Sequence, residues 1–451
     1  MKRIIALTLT ILLFILPWQT ASADSAGRSP GITIHSEVVY LFNIDEQMLI
    51  YQQGADTPVY PASLVKIMTA ILAIEQTPDL RTLVTFPIYV QNYLFDYQVR
   101  YGVSISLAGM TAGEQLPMSS LLHSIMLQSG NEAAMTIADH VGGGQQQFVE
   151  MMNQRAQELG ATSTNFTNAT GLPDPDMVTT ARDMAIITLH AMSLPGFMEI
   201  ATAISYETGP TNLSPNLTWN TTVAMQVPGS RFFYPHLRGI KTGTTPQAGR
   251  NFISSATRDG FTYLLVVMGA PLHDPETGEL LAENYVFVDT MGIYEWVFDT
   301  FGLIPIVERN RRIHEIPLRL NSSQDFLPLE TAERFAALVA RDIDPEASLA
   351  HIFEVPESVD APVARGDHMG YLRLMLYGRE LGRVELVAAE TVNATRFLVL
   401  LDQLSAVAGS FWFRSALIFI ALLIVLYGLL AVVRNRNRRG KGGGYRPRRR
   451  I

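Results

Sequence analysis

The chain of 451 residues has no cysteine. That excludes a disulfide framework, a thiol nucleophile and any cysteine-ligated metal. Lysine is almost as scarce. Of 34 basic residues only Lys2, Lys66, Lys241 and Lys441 are lysines. Between residues 24 and 410 two lysines stand against twenty arginines. Arginine stays protonated in proteins, whereas a lysine amine can lose its proton when its surroundings lower its pKa. Lys66 and Lys241 therefore mark positions where a titratable amine is wanted. No acid follows residue 410: all 42 lie between residues 24 and 410, against 22 bases, a net of −20 that the overall −8 conceals. A body this acidic argues against nucleic acid as a partner. Metal-ligand spacings such as H-E-x-x-H are also missing. His123, His190 and His236 are far apart and read as surface or core histidines, so neither a metal nor a cofactor is expected.

What is present begins with a leader. Residues 1–3 are basic, 4–18 mostly apolar, and Ala21-Ser22-Ala23 is an A-x-A site, which predicts a signal peptide over 1–23. A second apolar run, residues 415–433, would rise about 28 Å as a helix, close to the thickness of a bilayer core. Nine of the last 18 residues are basic. The positive-inside rule places that tail in the cytoplasm and the body outside, where the tail also meets anionic lipid.

The patterning predicts a hairpin over 31–51 and helices over 62–75, 146–160, 180–193 and 283–301. Residues 119–142 read as two helices broken at Ser129-Gly130. Residues 239–244 lead into the strand-like segments NFISSAT and FTYLLVVMGA. Beyond residue 301 short strand-like pieces follow, with 331–341 readable as a helix and 394–410 as a linker or a helix beside the membrane. The expected organisation is a main domain over 24–303 and a β-rich domain over 304–392. A linker over 393–410, a membrane span over 411–433 and a tail over 434–451 complete it.

Three short motifs carry chemistry. In YPASLVKIMTA, Ser63 and Lys66 are three apart at a helix start, hence on one face. Serine needs a base within hydrogen-bond reach to act as a nucleophile, and a neutral Lys66 would be that base. Ser129-Gly130-Asn131 supplies a hydroxyl that can relay a proton to a leaving amine and an amide that can hold a substrate amide. Lys241-Thr242-Gly243-Thr244 opens a strand. There Lys241 adds the positive charge that depresses Lys66, Thr242 and Thr244 can bond a carboxylate, and Gly243 lets a substrate approach the backbone. Each motif alone is weak, since S-x-x-K is often an N-cap and S-G-N an ordinary helix break. Together, in the order S-x-x-K, S-x-N, K-T-G, they place both lysines of the body on the two lysine positions of one set. Glu132 reads as a solvated or capping residue. Asn168-Ala169-Thr170 fits a glycosylation sequon to which little weight is given.

These motifs resemble those of the penicillin-recognising serine enzymes. The segments LLHSIMLQSGNEAAMTIADHVGG, MNQRAQELGATSTNFTNATGL and GIKTGTTPQAGRNFISSAT are similar to the low-molecular-mass penicillin-binding proteins, the serine-type D-alanyl-D-alanine carboxypeptidases. The resemblance spans nearly the whole exported body. It implies an α+β fold, a β-lactamase/transpeptidase-like antiparallel sheet flanked by helices, plus a small β-rich domain. It implies that Ser63 attacks the penultimate D-alanine carbonyl of a peptidoglycan stem pentapeptide while Lys66 takes its proton. The backbone N–H groups of Ser63 and Thr244 would hold the oxyanion. Ser129 and Lys241 would assist the leaving D-alanine, Asn131 would orient the peptide, and β-lactams would acylate the same serine. A D,D-endopeptidase and a wall- or β-lactam-binding receptor are the alternatives. The segment from 259 to 308 lacks the downstream arginine common in these enzymes for the substrate carboxylate, leaving Arg250 and Arg258 as substitutes.

Overall fold

The structure, a computed structural model, describes residues 29–439. The expected signal peptide and the end of the basic tail lie outside them. The described chain divides into two compact units between Gly302 and Leu303.

The first unit is built on five antiparallel strands: β1 (Val38–Asn43), β2 (Met48–Gln53), β3 (Leu237–Thr245), β4 (Gly249–Arg258) and β5 (Phe261–Ala270). Their order is β2-β1-β5-β4-β3, so β3 lies at an edge. Residues 251–256 of β4 and 263–268 of β5 are buried without alternation, as expected for strands covered on both faces. One cover is the helix α7 (Tyr285–Thr300), whose Tyr294 hydroxyl donates to the Ser254 carbonyl at 2.9 Å.

The other face carries α1 (Lys66–Gln76), α2 (Ile88–Tyr101), α3 (Met118–His123), α4 (Asn131–Gly142), α5 (Gln145–Leu159) and α6 (Ala181–Ser193). α1 is buried from Lys66 to Ala73; a helix apolar on all sides belongs in a core. Thr180 caps α6, its Oγ1 accepting from the Asp183 N–H at 3.1 Å.

Most first-unit elements match the sequence pattern. The hairpin, however, begins at Val38 rather than at 31. The helix α2 has no counterpart in the pattern.

The second unit holds β6 (Phe301–Val307) from Leu303 onward, β7 (Arg312–Arg319), β8 (Phe326–Thr331), β9 (Phe335–Ala340), β10 (Leu349–Glu354), β11 (Val359–Asp360), β12 (His368–Leu376) and β13 (Arg379–Ala388). Six form a sheet in the order β10-β12-β13-β8-β7-β11, and β6 pairs with β9. The helix expected over 331–341 is thus a strand. Ala337 to Ala340 are all buried, and pairing with β6 outweighs the helical spacing of Phe335, Leu338 and Val339. Residues 394–410 form α8 (Arg396–Gly409), followed by α9 (Phe411–Arg439). Within α9, residues Phe411–Asn435 are long and apolar enough to cross a membrane.

Candidate active site

Ser63 sits in a single 3-10 turn, Ala62–Val65, that leads directly into α1. Ala62 just before it has φ +48, in the left-handed region, where a residue with a Cβ is strained and held by its surroundings. Asn251 of β4 fixes this approach: its Nδ2 donates to the carbonyls of Tyr60 (2.9 Å) and Pro61 (3.2 Å), and its Oδ1 accepts from the Gly269 N–H (2.8 Å).

Lys66 has no exposed surface. Its Nζ lies 3.0 Å from Ser63 Oγ, 2.8 Å from Asn131 Oδ1 and 2.5 Å from the Thr170 carbonyl. The last two are acceptors only. A neutral amine has two hydrogens and one lone pair. With both hydrogens spent on Asn131 and Thr170, the lone pair faces the Ser63 hydroxyl. Burial lowers the Lys66 pKa well below 10.5, the charge of Lys241 lowers it further, and the Glu132 carboxylate opposes them.

Ser129 follows one wide helical turn, Ser124–Gln128, with i→i+5 bonding. It adopts φ +61 and is 5% exposed. Its hydroxyl has no hydrogen-bond partner among the described residues. Such turns and left-handed residues concentrate at functional sites. Asn131 opens α4, and its N–H donates to the Ser106 carbonyl at 3.0 Å.

Lys241, Thr242, Gly243 and Thr244 occupy the edge strand β3. The Lys241 amine, wholly buried, donates to the Thr242 carbonyl at 3.0 Å, and burial lowers its pKa to about 7. Thr242 Oγ1 is 2.7 Å from Thr222 Oγ1. A Cβ on Gly243 would lie 3.1 Å from both the Pro61 carbonyl oxygen and the Ser63 nitrogen, so a side chain at 243 would push β3 and the Ser63 turn apart by a few tenths of an ångström. Thr244 is exposed and pairs with Arg250.

The structure thus brings Ser63 and Asn131 within hydrogen-bond reach of the Lys66 amine, with β3 against Ser63. It also adds residues that the sequence did not single out. Glu132 is 2% exposed rather than solvated. Its Oε1 accepts from the Ala108 and Gly109 N–H groups, tying that loop to α4, and burial raises its pKa. Asn168 accepts from Thr170 N–H (3.1 Å), Thr170 Oγ1 (2.7 Å) and Gly171 N–H (2.8 Å), and so positions the Thr170 carbonyl that Lys66 meets. Gly171, at φ +80, would place a Cβ 2.0 Å from the Ala62 carbonyl oxygen. The only sequence signal for these was the segment FTNATGL as a whole.

The two arginines named as substitutes are engaged elsewhere. Arg258 lies at the far, hairpin end of β4 and pairs with Asp299 at 2.6 Å. Arg250 lies beside Thr244 but donates to the carbonyls of Glu283 (2.5 Å) and Leu281 (2.9 Å).

A half-buried serine hydroxyl against a wholly buried lysine at a helix start, facing an edge strand, is the arrangement of a serine acyl-transfer enzyme. The family model described as D-alanyl-D-alanine carboxypeptidase, peptidase family S11, matches residues 22–272, and the chain belongs to that family. It is 23% identical over 410 residues to the D-alanyl-D-alanine carboxypeptidase DacF of Bacillus subtilis (strain 168), covering 89% of this chain and 98% of the relative. Among solved structures it is similar to penicillin binding protein 5 of Haemophilus influenzae, with a TM-score of 0.54 and 24% identity, covering 80% of this chain and 98% of that one. It is also similar to the Streptomyces K15 DD-transpeptidase, with a TM-score of 0.51 and 26% identity, covering 59% and 98%. The chain is a serine-type peptidase with a transpeptidase-like fold.

Proposed function

We propose that the protein is a membrane-held D-Ala-D-Ala carboxypeptidase that removes the terminal D-alanine of peptidoglycan stem pentapeptides. Ser63 Oγ attacks the carbonyl carbon of the penultimate D-alanine, and its proton passes to the Lys66 lone pair. The oxyanion is held by the N–H groups of Ser63 and Thr244. When the C–N bond breaks, the departing amine takes a proton from Ser129 Oγ, which Lys66 replaces. Asn131 and the edge of β3 hold the peptide, and Lys241, Thr242 and Thr244 meet its terminal carboxylate. Water, deprotonated by Lys66, then attacks the ester and releases the tetrapeptide. A β-lactam ring opens on the same serine and leaves slowly.

The observation that carries this reading is the Lys66 amine, wholly buried, with two acceptors and Ser63 Oγ around it. The apolar helix within α9 holds the chain in the membrane, with the acidic body outside and the basic tail in the cytoplasm.

The test is acylation by benzylpenicillin, read by mass spectrometry of digested protein. One adduct on the peptide holding Ser63, absent in Ser63→Ala, is expected. An adduct elsewhere, or none, contradicts the assignment of the nucleophile.

A further inference from the structure

α2 is an exposed helix with an unusual content. Tyr89, Tyr93, Tyr97 and Tyr101 recur every four residues, a step of about 6 Å along the axis. Val90 and Leu94 face the core. Tyr93 and Tyr101 are 51% and 59% exposed, while Tyr97 is half-buried between them. The ring centres of Tyr93 and Tyr97 are 6.4 Å apart and those of Tyr97 and Tyr101 4.6 Å. Tyr89 begins the row, its hydroxyl donating to the Asp139 carboxylate. An exposed aromatic row of this kind marks a binding surface, and tyrosine offers both a flat apolar face and a hydroxyl.

The row runs alongside α4: Tyr89 at its start meets Asp139 late in α4, and five residues beyond Tyr101 the Ser106 carbonyl accepts from the N–H of Asn131, the first residue of α4, which also meets Lys66. Burial first, then the neighbouring tyrosines and the charge of Asp174, raise the Tyr97 phenol. Asp174 lines a cleft with Tyr60, Ala62 and Gly171. Thr170, whose carbonyl touches Lys66, is four residues away along the chain. An extended chain covers at most about 3.6 Å per residue, so Asp174 lies within roughly 14 Å of Thr170. A stem peptide with its last bond at Ser63 has about the same length upstream of that bond, and at that end it joins the sugar strand.

We propose that Tyr93, Tyr97 and Tyr101 form a binding site for the amino-sugar strand that carries the stem peptide. This rests on the carboxypeptidase reading of Ser63. The ligand is a neutral chain of N-acylated pyranoses, whose C–H faces stack on the rings and whose hydroxyls meet the phenols. Charge supports a neutral polymer, because the body carries 42 acids against 22 bases between residues 24 and 410 and repels polyanions. The aliphatic and phenylalanine side chains a protein partner would favour lie on the other side of the helix, at Ile88, Phe95 and Val99.

The test uses the full chain in detergent micelles and two pentapeptide substrates, one free and one on a short glycan strand. In the combined variant Tyr93→Ala, Tyr97→Ala, Tyr101→Ala, the ratio of kcat/KM for the glycan-linked to the free peptide falls about tenfold, through KM. Phe95→Ser with Val99→Ser leaves the ratio as it was. An unchanged ratio in the tyrosine variant overturns the proposal. So does a self-associating wild type that the tyrosine variant renders monomeric in sedimentation, because the face then seats a second copy. If the wild type releases no D-alanine from either substrate, the carboxypeptidase reading fails on its own. Binding of peptide-free amino-sugar oligomers, followed by calorimetry, then decides this site. Binding lost in the tyrosine variant supports it, and no binding to the wild type overturns it.

Discussion

Lys66 presents a lone pair to Ser63 only while it carries two hydrogens, and three features keep it so. It is fully buried, its hydrogens have fixed acceptors, and Lys241 adds a like charge. That last effect has a sign that can be checked. Lys241, with a pKa of about 7, is charged below that pH and repels a proton on Lys66 there. In Lys241→Gln the repulsion is gone and the Lys66 pKa rises. The acid limb of the pH profile for benzylpenicillin acylation is then expected to move to higher pH. An unmoved limb would show that Lys241 does not act on Lys66.

At this scale the sequence was informative where rarity made it so: two lysines among many arginines pointed to Lys66 and Lys241. Glu132 read in it as solvated or capping, and Asn168 only as part of a sequon. Glu132 is buried and accepts from the N–H groups of Ala108 and Gly109, far from it in sequence, while Asn168 holds a local turn around Thr170, and a lone acid or amide announces neither.

At the scale of elements, the site is a meeting of a helix start, a helix break and an edge strand. Ser129-Gly130 marked the break and the S-x-x-K spacing marked the helix start, because both are local backbone requirements. The helix α2 was not legible. Its exposed face is as apolar as its buried one, so the usual contrast between faces is missing. β9 failed for the opposite reason, since a helical spacing was overridden by pairing with a strand.

The close passage of β3 over Ser63 depends on Gly243. Gly243→Ala forces a displacement of a few tenths of an ångström between strand and nucleophile. Acylation is expected to slow about tenfold or more, with little loss of thermal stability, because misplacement at a reacting centre is costly. Wild-type acylation rates in this variant would show that β3 does not set the geometry.

At the scale of the whole molecule, the chain combines an acidic body, an apolar helix fully exposed along its length and a basic end. A change of texture after residue 301 was visible in the sequence of the two units. The order of strands within each was not, because pairing joins residues far apart in sequence. The proposed activity and the proposed orientation are tested together by one measurement. It is D-alanine release from an externally added peptide ending in D-Ala-D-Ala, by the intact protein in spheroplasts. An outward-facing carboxypeptidase acting through Ser63 releases D-alanine without detergent and loses that activity in Ser63→Ala. No release, release that survives in Ser63→Ala, or release only after the membrane is opened would contradict it.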